Sequence, residues 1–180
     1  MPTDPQGTTA SRIDSALRSD ADTLLIKTHD ADETRALGSV LGRHAEAGST
    51  ILLTGELGSG KTVVAQGIGA GLAVPTVVNS PTFVLVNEHL GGRLPLLHAD
   101  LYRLGSRDEV AELALHEAAE DGVLVIEWPE RAGDDLPDDY LDLRLETGRL
   151  ESHRSIHCRA TGPGSRTLLA LLRDARPRSD

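Results

Sequence analysis

Residues 50–54, TILLT, run straight into residues 55–62, GELGSGKT, and on through residues 61–72, KTVVAQGIGAGL. The first stretch is a short continuous apolar run of the kind a buried strand needs, and the last is helical in pattern despite Gly67, Gly69 and Gly71. Those glycines weaken a helix but permit close packing. The loop between them satisfies G-x-x-x-x-G-K-[ST] in the strand–loop–helix setting that gives the pattern its meaning. Glycines let backbone N–H groups close around a phosphate, and the following helix adds unpaired N–H groups and a partial positive charge of roughly one half. Lys61 reaches the β- and γ-phosphate oxygens as a mobile charge, and the Thr62 hydroxyl is placed for Mg2+. The chain's own residue frequencies give roughly 0.003 accidental matches over its length. Lys61 is also one of only two lysines, the other being Lys27. A chance glycine-rich connection is therefore rejected.

Working outward, residues 23–28 (TLLIKT) read as a strand and residues 30–46 as a helix with acidic residues in its first turn, so the chain opens with α/β alternation. Two apolar arms, FVLVNEHL and LPLLHADL, flank Gly91-Gly92, a dipeptide suited to the positive φ angles of a tight hairpin. Residues 108–120 (DEVAELALHEAAE) form the clearest amphipathic helix, and residues 123–127 (VLVIE) a second fully apolar strand. Weaker strands at 140–145 and 155–159 surround a polar turn at 147–149. Gly162-Pro163-Gly164 then breaks the chain before a terminal helix over 165–174. The expected organisation is a mobile leader over 1–22, with at most a helical turn near Ile13 to Leu17, a P-loop domain over 23–161, and a linker, terminal helix and polar tail over 162–180.

The chain has 180 residues, with 18 Lys and Arg against 28 Asp and Glu, a net charge of −10. Affinity for nucleic acid rests largely on cations that neutralise phosphates, so such a chain is a poor candidate for gripping RNA or DNA unaided. Its aromatics are only Phe83, Tyr102, Trp128 and Tyr140, which argues against a base-stacking platform. No run approaches the roughly 18 apolar residues that span a bilayer, and the start lacks the parts of a signal peptide, so a cytoplasmic protein is expected. The lone Cys158 excludes an internal disulfide and a multi-cysteine metal site, and reads as a small buried side chain. Asp134, Asp135, Asp138 and Asp139, around Leu136-Pro137, read as a solvated loop.

A nucleotide site also needs carboxylates. Glu127 ends the strand VLVIE and Asp100 ends LPLLHAD, and ligands of open α/β sheets bind beyond the carboxyl ends of strands. The sequence does not decide which acid meets the metal and which places a nucleophile. Asn79-Ser80-Pro81-Thr82 is either a switch-like loop that orders around γ-phosphate and metal or a proline turn that starts a strand.

In order along the chain, GELGSGKT, SPTF (80–83), HADLYRL (98–104) and VIEWPER (125–131) together resemble the TsaE family, formerly YjeE. The resemblance spans about 130 positions from Asp30 to Arg159. It implies a P-loop NTPase fold of α/β class, whose mixed sheet has a parallel core with added antiparallel hairpins and is flanked by helices. It further implies an ATPase, with ATP and Mg2+ as cofactors, that supports the partners TsaB and TsaD in placing threonylcarbamoyl on adenosine 37 of tRNAs reading ANN codons. Contact with tRNA would be indirect, and no membrane is involved. By position, Glu56, Leu57, Gly58, Ser59, Gly60, Lys61, Thr62 and Val63 match the nucleotide-binding loop. Thr62 and Glu127 match the Mg2+ site, Asp100 an acid near the γ-phosphate, and Thr82 the switch-like segment. Together with Lys61, Asp100, Glu127 and Thr82 are the expected catalytic residues. Trp128 matches a tryptophan beside the metal-binding glutamate, or serves core packing. Arg154 matches an arginine of the C-terminal hairpin near the nucleotide, and Thr34 belongs to a helix start that neighbours it. The leader and terminal helix depart from the family pattern.

Two rivals remain on sequence grounds. A small-molecule P-loop kinase would need an acceptor pocket and an Arg-rich lid, and no lid is evident between Arg103 and Glu120. A nucleotide-gated binding module would need no turnover. No arginine is marked as an internal transition-state finger, although Arg103, Arg131 and Arg154 are candidates.

Overall fold

The computed structural model describes residues 20–81, 83–133 and 136–175. The expected leader therefore lies outside the described residues except for Asp20–Asp22, a single 3-10 turn. Thr82, Asp134, Asp135 and the tail over 176–180 also fall outside them. Along the chain follow β1 (Thr23–Thr28), α1 (Ala31–His44), β2 (Ser49–Thr54), α2 (Lys61–Gly71), β3 (Val86–His89) and β4 (Leu96–Asp100). After these come α3 (Arg107–Ala111), α4 (Leu115–Ala118), β5 (Val123–Glu127), β6 (Leu141–Thr147), β7 (Arg154–Ala160) and α5 (Pro163–Asp174). The described strands make one sheet in the order β1-β7-β6-β2-β5-β4-β3. Strands β6, β2, β5 and β4 run parallel, while β3 on one side and β7 and β1 on the other are antiparallel additions.

Strands β2 and β5 are buried at almost every position because both of their faces are covered. On one face Ile51, Leu53, Val123 and Val125 join Leu41, Val64, Ile68 and Leu169 of α1, α2 and α5 in the larger core. On the other, Leu52, Leu124 and Ile126 pack with Leu97, Ala99, Val110 and Leu115. Helix α5 is part of this arrangement, since Leu168, Leu169 and Leu172 are buried in the larger core. At about 2 kcal/mol for each fully buried leucine, an upper estimate, that contact matters to a domain of this size.

Helices α1 and α2 touch backbone to backbone. A Cβ added to Gly38 would lie 2.3 Å from Val64 O, and one on Gly42 would lie 2.1 Å from Ile68 O. In return, Gly67 faces Arg35 O at 2.1 Å and Gly71 faces Ser39 O at 2.3 Å. Each pair is spaced by four residues, so each helix presents a smooth glycine stripe to the other. The third helix glycine, Gly69, faces the Val78 and Val74 side chains instead.

Three local expectations are corrected. The amphipathic stretch over 108–120 is two short helices, α3 and α4, separated at Ala114 with φ 45°. In one straight helix Val110 and Leu115 point about 140° apart, at 100° per residue; the break lets both enter the same core. The hairpin between β3 and β4 spans residues 90–95, and only Gly91 of the Gly-Gly pair has positive φ. Its loop is wide because it docks on helix ends: Arg93 N donates to Leu72 O at 2.7 Å, and the Arg93 guanidinium donates to Gly42 O and Ala45 O. The guanidinium at the α1 C-terminus satisfies orphan carbonyls and complements the macrodipole, while the neutral backbone N–H serves the end of α2.

The chain does not break at Gly162-Pro163-Gly164. Gly162 is the N-cap of α5, and Pro163 and Gly164 already lie in its first turn, where a proline lacking its N–H costs nothing. Asp139, expected in a solvated loop, caps this helix by accepting from Gly164 N at 2.7 Å and Ser165 N at 2.9 Å. Burial pushes its carboxyl up, but the bonds from Ser165 and Gly164 and the charge of Arg166 outweigh that and leave it below the usual range. A folded value below the unfolded one gives stability that is present above the ordinary carboxylate value and lost as pH falls toward the lowered one. Asp139→Ala is expected to cost about 1 kcal/mol, read by urea denaturation at pH 7. The difference from wild type should shrink in acid, and an undiminished gap at low pH would contradict the capping role.

Candidate functional site

The carboxyl ends of the parallel strands and the start of α2 converge on residues 55–62. The turn out of β2 is held by Gly58 and Gly60 at φ 80° and 103°, conformations that a side chain resists and glycine accepts. Glu56, Leu57 and Gly58 are exposed at the loop tip, whereas Ser59 is buried and Gly60 and Val63 half-buried. Lys61 opens α2, and its side chain turns back into the loop, donating to Gly55 O at 2.7 Å and Glu56 O at 2.9 Å. Burial lowers the Lys61 ammonium from its ordinary value, and the charges of Glu127, Asp100 and Glu130 pull it partly back. Three carboxylates thus gather within electrostatic reach of this cation.

The next hydroxyl, Thr62 Oγ1, donates to Glu127 Oε1 at 3.1 Å. Glu127 ends β5 directly beside Asp100, which ends β4, because the two strands pair in parallel with Asp100 opposite Glu127. Both acids are buried. Asp100 is oriented from two sides: Ser80 Oγ donates to Oδ2 at 2.8 Å and Tyr102 N to Oδ1 at 3.0 Å. The 79–82 loop thus reaches the acid through Ser80, while Thr82 lies outside the described residues.

Trp128 follows Glu127 in the left-handed region, φ 61°, which a bulky residue adopts only where its surroundings enforce it. Its ring lies 4.1 Å from Lys61 Nζ and 4.9 Å from the Tyr102 ring. Trp128 is half-buried and belongs to neither of the two core clusters. Arg154, at the start of β7, braces the loop from outside: its Nε donates to Ser59 O at 2.7 Å and one Nη to Gly58 O at 3.2 Å. Thr34 is buried and spends its hydroxyl on Asp30 O at 2.9 Å and Thr28 Oγ1 at 2.7 Å. It ties α1 to β1, whose last residue, Thr28, pairs with Arg154. Arg103 stacks over Phe83, 4.6 Å from guanidinium carbon to ring centroid, and Arg131 is exposed.

Two neighbours escaped the sequence reading. Ser80 was part of a loop with no assigned contact, and no local signal pairs it with Asp100. His98 lies within HADLYRL; it is fully buried, and its Nε2 lies 3.0 Å from Glu127 Oε1. A signal for it did exist, since a residue two before Asp100 on a strand shares its face.

Among the described residues no helix is long and apolar enough to cross a membrane. A model of the family described as threonylcarbamoyl adenosine biosynthesis protein TsaE matches residues 28–156. A Streptomyces coelicolor protein named tRNA threonylcarbamoyladenosine biosynthesis protein TsaE is 41% identical over 136 residues, 73% of this chain and 92% of its own length. The Nostoc protein of the same name is 45% identical over 124 residues, covering 66% of this chain and 75% of its own. The crystal structure of YdiB from Bacillus subtilis superposes with a TM-score of 0.71 at 28% identity, over 84% of this chain and 95% of that one. The mixed sheet, the GELGSGKT turn into α2 and the matched span agree with one another: the chain has a P-loop NTPase-like fold and belongs to the TsaE family, which takes part in tRNA threonylcarbamoyladenosine biosynthesis.

Proposed function

We propose that this chain is a Mg2+-dependent ATPase of the cytoplasm that supports TsaB and TsaD in forming N6-threonylcarbamoyladenosine at position 37 of tRNAs reading ANN codons. The observation that carries the reading is the contact of Thr62 Oγ1 with Glu127 Oε1 at 3.1 Å beside the buried Lys61. Mg2+ prefers oxygen ligands and is commonly held by one or two side chains together with substrate phosphates and water. A hydroxyl and a carboxylate at the mouth of a phosphate loop fit that mode, and it needs no larger cluster; among the described residues no group of three or more His, Cys, Asp or Glu is placed to hold a metal. Thr62 and Glu127 would hold the ion, which when bound neutralises charge on the β- and γ-phosphates.

The chain's own groups do the rest. Backbone N–H groups over 58–62 and the N-terminus of α2 receive the phosphates, and Lys61 exchanges its carbonyl partners for phosphate oxygens. Asp100, fixed by Ser80 and Tyr102, accepts a hydrogen bond from the attacking water and aligns it. Slow turnover by the isolated chain is expected, because the guanidinium of Arg154 is engaged with loop carbonyls and that of Arg103 with Phe83. An arginine contact missing from the transition state can cost about 10³- to 10⁵-fold, so docking of TsaB and TsaD is expected to raise the rate. The −10 charge suits a protein that acts on tRNA modification through other proteins.

The test is release of free phosphate from ATP by the purified chain, with and without TsaB and TsaD. Asp100→Asn is expected to lower release about 10²-fold or more, the scale of a positioned acid–base group, and to leave nucleotide binding intact. Transfer of the phosphate to a metabolite, rather than its release, would replace this reading with a small-molecule kinase.

A further inference from the structure

Glu127 is held by more than its own strand. Among the described residues both hydrogen bonds to its carboxylate go to one oxygen, Oε1: Thr62 Oγ1 at 3.1 Å and His98 Nε2 at 3.0 Å. His98 sits in the middle of β4 with Leu97 and Ala99 beside it in sequence and Val125 opposite it on β5. It is fully buried, and among the described residues its second ring nitrogen, Nδ1, has no hydrogen-bond partner. A buried polar atom left unpaired costs about 1–3 kcal/mol, so between Asn87 and Val125, which face it on the two neighbouring strands, packing alone does not call for an imidazole. A histidine kept there at that cost is explained by its other nitrogen. An ionised carboxylate only accepts, so the Nε2 that faces it carries the proton and donates.

The register explains the reach. His98 pairs with Val125 and Asp100 with Glu127, so the imidazole crosses diagonally to the carboxylate from the sheet, while α2 delivers Thr62 from the helix side. With Oε1 gripped from both directions, rotation of the carboxyl group is stopped and its second oxygen is left for another ligand.

We propose that His98 is a positioning residue: its Nε2–H fixes the Glu127 carboxylate in the orientation that, with Thr62, completes the oxygen pair for the divalent cation. The proposal rests on the Mg2+-nucleotide reading of the site. Outer hydrogen bonds of this kind typically govern metal affinity by 10- to 100-fold.

Two substitutions separate positioning from packing. In His98→Gln the amide reaches to where Nε2 stands, whereas in His98→Asn it stops at the position of Nδ1. Trp128, the only tryptophan, lies 4.1 Å from Lys61 Nζ and reports occupancy by its fluorescence. ADP is titrated in EDTA and Mg2+ is then titrated at saturating ADP, which avoids turnover. The expected result is Mg2+ affinity about 10- to 100-fold weaker in His98→Asn, largely recovered in His98→Gln, with ADP affinity in EDTA the same in all three proteins. Equal Mg2+ affinity in both variants, whether weakened or not, would reduce His98 to a packing residue. A wild-type chain that binds ADP in neither titration would instead overturn the nucleotide reading itself.

Discussion

Lys61→Ala is expected to lower ATP turnover about 10²- to 10³-fold, the scale on which removal of one preorganised cationic or N–H donor acts on a developing oxyanion. It should abolish support of threonylcarbamoyl formation with it. The ammonium is held among Glu127, Asp100 and Glu130 and the carbonyls of Gly55 and Glu56, so its charge stays local and no other lysine can substitute; Lys27 is the only other one. Stability should change little. Burial lowers the folded value of Lys61 below the ordinary one, so the unfolded chain binds this proton more tightly. The resulting penalty is present below the folded value and fades as pH rises through it toward the ordinary lysine value. That penalty offsets the two carbonyl bonds of the ammonium, so removal of the side chain is expected to leave the melting temperature near that of wild type at pH 7. Loss of activity with a lowered melting temperature would mean that Lys61 serves the fold, and full activity in Lys61→Ala would end the ATPase reading.

Gly42→Ala is expected to destabilise the domain by at least about 2 kcal/mol, toward the upper part of the range for overpacking. On an exposed helix the same change gains roughly 1 kcal/mol, because glycine is a poor helix former. Here the new methyl would stand 2.1 Å from Ile68 O and 2.9 Å from Ile68 C. Both atoms are backbone, so no side chain can swing aside, and α1 and α2 must separate along their whole stripe. At 150–250 residues, 2 kcal/mol corresponds to roughly 4–8 °C in melting temperature. Gly105→Ala is the control: a Cβ there meets nothing within 4 Å and φ is not positive, so a change within about 0.5 kcal/mol is expected. A Gly42→Ala protein that melts at or above wild type would show that the glycine stripe is dispensable.

The two effects divide between what is local and what is not. Lys61 and Thr62 are legible in the sequence because a phosphate loop is contiguous: one strand end, one turn and one helix start build it, and the chemistry appears as a pattern of neighbours. The same holds for β2 and β5, whose unbroken apolar runs declare strands covered on both faces. The break within 108–120 escapes a local reading for the converse reason. These residues satisfy helical periodicity, but Leu115 is needed in the same core as Val110, and a demand made by distant strands overrode the local pattern at Ala114. Asp139 looked like one acid among several in a polar loop until α5 folded back to place its first N–H groups on it.

By itself the sequence determined the α/β class, the phosphate loop, the two strand-terminal acids and the family, since each depends on residues close in the chain or on ordered motifs. Only the tertiary structure decided how those parts meet. Parallel pairing of β4 with β5 sets Asp100 beside Glu127, 27 positions apart in sequence. The start of α2 hands Thr62 to Glu127, β7 sends Arg154 to brace the loop, and His98 reaches the same carboxylate across two strands. Hydrogen bonds are short and directional, and which donor meets which acceptor is set by strand register and helix docking, neither of which is written in any single stretch of the chain.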